Sequence, residues 1–200
     1  MKETILFCLL LAGVNFAQSY EWCLDSLYSE NYVTKCEAID YVSAFEPEGT
    51  TEVLVELIDQ QQPYLQIRFL NILYNLGYED VSTLAHELIS RADEFANDPE
   101  HPRDPLDAKV DATTILVYKG DFSTIGYVFE KLNKGEITKY ERSAFLLLYE
   151  IIKNAPFPDY KKEAKNILLN ALNNECEDIR YYSLLYLAEL FGAEMNGELV

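Results

Sequence analysis

A basic residue in the first turn of an apolar helix recurs four times in this chain. The four residues are Arg68, Lys109, Arg142 and Arg180, and each lies in a run rich in Leu, Ile, Val or Ala. They are separated by 41, 33 and 38 residues. Such a period is typical of a solenoid built from two-helix repeats. The recurrence therefore predicts an architecture, and it says little about an activity.

The fourth copy resembles the second helix of a HEAT repeat. Residues 174–192 read Asn-Glu-Cys-Glu-Asp-Ile-Arg-Tyr-Tyr-Ser-Leu-Leu-Tyr-Leu-Ala-Glu-Leu-Phe-Gly. The HEAT pattern has an acidic, turn-rich entry, an aliphatic residue followed by Arg, a small residue about one turn later and a final Gly. Here Ile179 precedes Arg180, Ser183 is the small residue and Gly192 ends the segment.

The other three copies depart from this pattern. No Asp precedes Ile67 and Arg68, Lys replaces Arg at Lys109, and Glu141 stands where an aliphatic residue is usual. The resemblance covers roughly residues 50 to 192 and concerns the fold more than the function. It implies that the four basic residues form a packing ladder that ties one repeat to the next, with ligand binding as the alternative.

Proline and glycine mark the expected helix boundaries. Pro63 and Pro105 stand near the starts of two apolar helices, and Gly77 and Gly120 stand at their ends. No stretch shows the sustained alternation of a strand between hairpin turns. The sequence therefore predicts an all-α fold, in which a short α-solenoid of about four HEAT-like helical hairpins occupies residues 49–200.

Residues 1–19 predict a secretory signal peptide. Lys2 precedes an apolar run at residues 5–14, which is shorter than the ~20 residues of a membrane span. Small residues allow cleavage after Ser19, with cleavage after Ala17 as the alternative. A buried amino-terminal helix is the competing interpretation. The signal predicts a secreted or periplasmic protein, with no membrane insertion after its removal.

Removal of the signal leaves three cysteines. Cys23 and Cys36 can form a disulfide only if the chain turns back between them, and residues 28–32 offer such a turn. The bond would stabilise a helical hairpin over residues 20–48 by about 3 kcal/mol. Two reduced, buried thiols are the alternative. Cys176 is then left over, either as a free thiol or as one half of an intermolecular bond.

The charge of the chain limits its partners. The formal net charge is −18, so phosphate backbones and anionic lipid headgroups are repelled. We expect no nucleic-acid binding, and a protein with a basic surface would be attracted. The acidic surface could equally serve solubility alone. With 49% hydrophobic residues, the chain can bury a core and is not expected to be disordered.

The sequence offers little that suggests catalysis. His86 and Glu87 are similar to the His-Glu pairs of HEAT-fold metal hydroxylases, but those enzymes use several pairs and this chain has one. The acidic loop at residues 98–107 carries oxygen ligands without the spacing of an EF-hand. We therefore expect no catalytic residues, no metal and no cofactor. A small exported metal-binding protein or enzyme that uses these residues is the alternative function.

A protein-binding surface is the remaining candidate. In HEAT solenoids the second helices line the concave side, and the resemblance implies that their non-core residues meet the partner. These residues are Asn71, Asn75, Asp111, Thr114, Tyr118, Tyr182, Tyr186 and Glu189. The leading hypothesis is a non-enzymatic adaptor, inhibitor or immunity-type protein. A purely structural envelope component is a further alternative, and the oligomeric state stays open.

Overall fold

The computed structural model describes residues 21–95, 105–134 and 142–192. In these stretches the chain consists of helices joined by turns and loops. No strand occurs within them, so the predicted all-α class is confirmed for this part of the chain. The helices are α1 (21–27), α2 (Tyr32–Phe45), α3 (Thr50–Leu57), α4 (Pro63–Asn75), α5 (Val81–Arg91), α6 (Pro105–Tyr118), α7 (Ile125–Asn133), α8 (Arg142–Asn154), α9 (Pro158–Ala171) and α10 (Glu177–Phe191).

The predicted glycine stops are confirmed at the ends of α4 and α6. Gly77 and Gly120 have φ angles of 74° and 81°, a left-handed conformation that only glycine adopts without strain. After α4, the Tyr78 N–H donates to the carbonyl of Leu73 at 2.9 Å. An equivalent bond of 2.8 Å joins the Asp121 N–H to the Leu116 carbonyl after α6. The two helices therefore end in the same Schellman-type cap.

The positions of the basic residues within their helices differ from the prediction. Arg180 is the fourth residue of α10, so it lies in the first turn. Residues 135–141 lie outside the described residues, so the prediction for Arg142 is not tested. Arg68 is the sixth residue of α4 and Lys109 is at least the fifth of α6, so the prediction of a first-turn residue is wrong for these two. Their distances from Pro63 and Pro105 already place them beyond the first four helical residues.

The chain forms two compact units, unit 1 ending at Glu79 and unit 2 beginning at Asp80. In unit 1, α4 packs against both α2 and α3. Hydrophobic side chains from all four helices of unit 1 are fully buried. They include Leu27, Ile39, Leu54, Phe69, Leu70 and Leu73. The helices expected to form a separate hairpin over residues 20–48 thus share a core with α3 and α4.

Unit 2 has two rows of helices. In one row α6 packs on α8, and α8 packs on α10. In the other row α7 packs on α9, while α5 lies against α6 and α9 lies against both α8 and α10. The core between the helices is aliphatic with a few aromatic rings, and Phe145 and Leu148 of α8 are at its centre.

Three predictions fall partly or wholly outside the described residues. The predicted signal peptide at residues 1–19 lies outside them, as do residues 98–104 of the acidic loop. The side chain of Arg142 is also outside the described set. Among the helices that are described, none combines the length and apolar character needed to cross a bilayer.

Candidate protein-docking site

Two of the recurrent basic residues are held by carboxylates from other elements. Arg68 of α4 forms an ion pair with Asp40 of α2. Lys109 of α6 is buried, and its Nζ lies 2.7 Å from Oδ2 of Asp93 and 4.3 Å from the centre of the Tyr127 ring. Because the buried ammonium has both a carboxylate and an aromatic face beside it, its charge is compensated inside unit 2.

Arg180 is used differently. Its guanidinium donates to the backbone carbonyls of Asn174 and Glu175, each at 2.8 Å. These carbonyls belong to the turn between α9 and α10, so Arg180 fixes the entry of its own helix. The contacts of Arg68, Lys109 and Arg180 all lie within the protein, which favours the packing interpretation over ligand binding.

The residues predicted to contact a partner occupy very different environments. On α4, Asn71 and Asn75 are exposed and lie one turn apart on the same face. On α6, Tyr118 is exposed and Asp111 is half-buried. Thr114 is buried, and its hydroxyl donates to the Val110 carbonyl at 2.9 Å. Thr114 therefore faces the interior of unit 2 and presents nothing to a partner.

On α10 two of the three predicted contact residues, Tyr182 and Tyr186, face α8. The Tyr182 ring packs against Phe145, with 6.2 Å between ring centres. Tyr186 is 9% exposed, and its ring centre lies 5.3 Å from that of Tyr149. The Tyr149 hydroxyl donates to Oε1 of Glu189 at 2.8 Å. Tyr182 and Tyr186 thus join two helices of one row, and only Glu189 remains exposed.

The outward side of α10 carries an apolar surface that the sequence did not reveal. Tyr181, Leu184 and Leu185 are 59%, 45% and 44% exposed, and Ala188 is exposed with them. The four residues are spaced i, i+3, i+4 and i+7, so they line one face of the helix. We call this face the α10 stripe. Single exposed apolar residues are common, but a row of four at helical spacing is typical of a binding surface.

The α10 stripe exists because the helix is apolar on several sides. Ile179, Ser183 and Leu187 are buried on the side that meets α8 and α9, with the Ser183 hydroxyl donating to the Ile179 carbonyl at 2.8 Å. A surface helix usually keeps its other side polar. In α10 that side is occupied by Leu and Tyr, so apolar area is left in contact with water.

Acidic residues border the α10 stripe at both ends. Glu177 and Asp178 are exposed one turn before Tyr181, and Glu189 is exposed one turn after Leu185. Arg180 is the only Lys or Arg in α10, and its guanidinium is bound to backbone carbonyls. The stripe is therefore an apolar seam between negative charges, and Glu177 and Glu189 lie about 18 Å apart along the helix.

His86 is paired with a carboxylate. Its Nε2 lies 2.8 Å from Oδ2 of Asp121, and Oδ1 of Asp121 accepts a hydrogen bond from the Ser123 N–H at 2.9 Å. Glu87 is exposed on the adjacent position. Within the described stretches, no three His, Cys, Asp or Glu side chains lie close enough together to hold a metal ion. The pair thus links α5 to the loop after α6.

The pKa of Asp121 is lowered, first by the hydrogen bond from the Ser123 backbone and then by His86. A lowered pKa in the folded state stabilises the protein above the ordinary Asp value of about 3.9, and this contribution is lost as the pH falls through the lowered pKa. We expect Asp121→Asn to cost less than about 1 kcal/mol at pH 7, because the side chain is partly exposed. Urea unfolding should show the difference from wild type shrinking as the pH falls below the ordinary Asp value and disappearing once the carboxyl is protonated in both the folded and the unfolded state. A constant difference would contradict this.

The predicted disulfide between Cys23 and Cys36 is not present, and both residues are free thiols, as is Cys176. The chain does reverse between α1 and α2, but Sγ of Cys23 is buried and donates to the Ala38 carbonyl at 3.3 Å. Residues two apart on a helix are rotated by about 200°, so Cys36 lies on another side of α2 than Ala38.

Burial raises the pKa of Cys23. Burial and a hydrogen bond with Cys36 raise the pKa of Tyr32 to about 12.

Comparison of the chain with protein-family models, curated proteins and solved structures finds no match. The resemblance to HEAT repeats depends on the residues of the fourth copy and stays a prediction. The function must therefore be inferred from the geometry of the chain itself.

Proposed function

We propose that this protein is an exported, non-enzymatic α-solenoid that binds a protein with a basic surface. The observation that carries the proposal is the α10 stripe, an exposed apolar seam bordered by acidic residues. A seam of this kind has the composition of an interface centre with a charged rim. The binding would serve an adaptor, an inhibitor or an immunity-type function, and the protein would act outside the cytoplasm.

The packing of unit 2 supports the solenoid part of the proposal. The second helices of three successive pairs, α6, α8 and α10, pack in order along one row, while α7 and α9 pack along the other. In a solenoid each repeat contacts its neighbours in this way. The outward side of α10 carries exposed apolar side chains, which favours a partner that covers them.

The distribution of charge supports a basic partner. Residues 21–79 carry eleven Asp and Glu side chains, all of them exposed. The same residues include only two cations, Lys35 and Arg68, which bind Gln61 and Asp40 respectively. The carboxylates therefore face solvent with little compensation from basic side chains of unit 1. An acidic surface attracts basic proteins and accelerates their association.

The proposal is tested by affinity capture with the mature chain, using extracts of its own compartment at low and at high salt. We expect a basic protein to be captured, with an affinity that falls about tenfold or more between 50 mM and 500 mM salt, because salt screens the attraction between rim charges. Isothermal titration with the purified partner measures the change. A partner whose affinity does not vary with salt would contradict the electrostatic part of the proposal, and an acidic partner would overturn it.

A further inference from the structure

We infer that the partner segment which docks on the α10 stripe is an amphipathic helix with Lys or Arg at both ends of its apolar face, lying lengthwise along α10. This inference rests on the proposed function and specifies the chemistry of the partner. It follows from the shape of the stripe, from its place in the row of helices and from the charges at its ends.

The shape of the stripe favours a helix. Tyr181 and Ala188 are about 10 Å apart along the axis, and Leu184 and Leu185 fill the space between them in two adjacent ridges. Ridges at this spacing receive the side chains of another helix. An extended peptide usually binds by adding to the edge of a sheet, and the described residues contain no sheet.

The place of the stripe in unit 2 also favours a helix. From α6 to α8 to α10, each helix of the row packs on the next one. The Phe145 to Tyr182 and Tyr149 to Tyr186 contacts show how α8 and α10 interlock along two turns. The α10 stripe lies on the side of α10 away from its buried residues, where one more helix can add to unit 2.

The charges disfavour two occupants, a second copy of the chain and the segment at residues 193–200. Two copies that met through their α10 stripes would bring Glu177, Asp178 and Glu189 of one copy against the same residues of the other, in either orientation. Like charges at an interface rim disfavour such a pairing. Residues 193–200 contain two Glu and no Lys or Arg, so they offer no complement to the rim. A basic partner places positive charges against the acidic residues at both ends of the stripe.

Two synthetic, fluorescently labelled peptides of equal length and composition test the inference against the full chain. The helix-patterned peptide carries Leu at i, i+3, i+4 and i+7 with Lys before and after this apolar face, and the strand-patterned peptide carries the same residues with Leu at alternate positions. We expect the helix-patterned peptide to bind about tenfold more tightly by fluorescence anisotropy. Its binding should be lost when Leu184→Ser and Leu185→Ser are combined. The matched control is Val33→Ser with Phe45→Ser, which removes two exposed apolar side chains from α2.

The outcomes separate this inference from the proposed function. If both peptides bind equally, or the strand-patterned one binds more tightly, and both depend on Leu184 and Leu185, the helical partner is overturned while the docking surface stands. If neither peptide depends on these two residues, the docking surface is overturned as well. Self-association in sedimentation experiments that the double Ser variant abolishes would identify a second copy as the occupant and overturn the basic partner.

Photo-crosslinking of the bound helix-patterned peptide tests its orientation. Crosslinking residues are placed at Tyr181 and, in a separate variant, at Ala188. A helix lying along α10 should be crosslinked at two positions about seven residues apart. An extended segment covers the same distance with about three residues. Crosslinks about three residues apart, or crosslinks from only one of the two positions, would overturn a lengthwise helix.

Discussion

Replacing Phe145 with Ala is expected to lower the free energy of unfolding by about 3 to 5 kcal/mol. Phe145 is 1% exposed, lies on α8 between α6 and α10, and has its ring 6.2 Å from that of Tyr182. Its removal leaves a cavity that the surrounding helices can fill only in part, because α8 packs on neighbours in both rows. Urea unfolding followed by circular dichroism measures the loss.

Phe157→Ala is the matched control for this change, since it removes the same atoms from an exposed position. Phe157 is 51% exposed, and its ring meets those of Phe122 and Tyr160 in edge-to-face contacts. We expect a loss of about 1 kcal/mol, from the aromatic contacts alone. Equal losses in the two variants would mean that α8 is not the centre of the unit 2 core.

Helix boundaries could be predicted from the sequence because they depend on local chemistry. Pro63 and Pro105 fix the backbone at the first helical position, and Gly77 and Gly120 adopt the left-handed angle of the cap. None of these effects requires a distant contact. The prediction for Arg68 was wrong because the recurrence of a basic residue in an apolar run does not fix its turn, although the position of Pro63 makes Arg68 the sixth residue of α4.

The α10 stripe could not be predicted because it depends on helix phase. In α10 apolar side chains occur on nearly every side of the helix: Tyr181, Leu184 and Leu185 are exposed, whereas Tyr186 and Leu187 are buried. Periodicity alone therefore cannot say which of these side chains are buried. The packing of α8 decides it, since the rings of Phe145 and Tyr149 contact Tyr182 and Tyr186.

The disulfide and the buried Thr114 illustrate the same limit. The spacing of Cys23 and Cys36 allows a bond only if both side chains point into the hairpin, and the rotation of α2 places Ala38 there instead. Thr114 is polar by type, but its hydroxyl bonds the Val110 carbonyl within its own helix and can therefore be buried. The residue types alone predicted neither the free thiols of Cys23 and Cys36 nor the burial of Thr114.

Combining Leu184→Ser with Leu185→Ser is expected to weaken binding of the basic partner by about 100-fold or more. Each Leu would bury its exposed half against the partner, which is worth about 1.5 kcal/mol, and Ser contributes almost none of this. Both residues are about half exposed in the free protein, so the folded state should lose less than about 1 kcal/mol, chiefly from helix propensity. Isothermal titration and thermal unfolding measure the two quantities separately.

Two comparison variants decide whether the loss belongs to the α10 stripe. Val33→Ser with Phe45→Ser removes exposed apolar area from α2 and should leave the affinity unchanged. Asn71→Asp with Asn75→Asp alters the exposed face of α4 that the sequence favoured, and it should also have no large effect. If the α4 variant lost binding while the α10 variant kept it, the partner would bind the surface predicted by the resemblance and the α10 stripe would not be the docking site. Loss in the α10 variant alone, with an unchanged melting temperature, would assign the partner to the stripe, because only the apolar seam between Glu177, Asp178 and Glu189 has been altered.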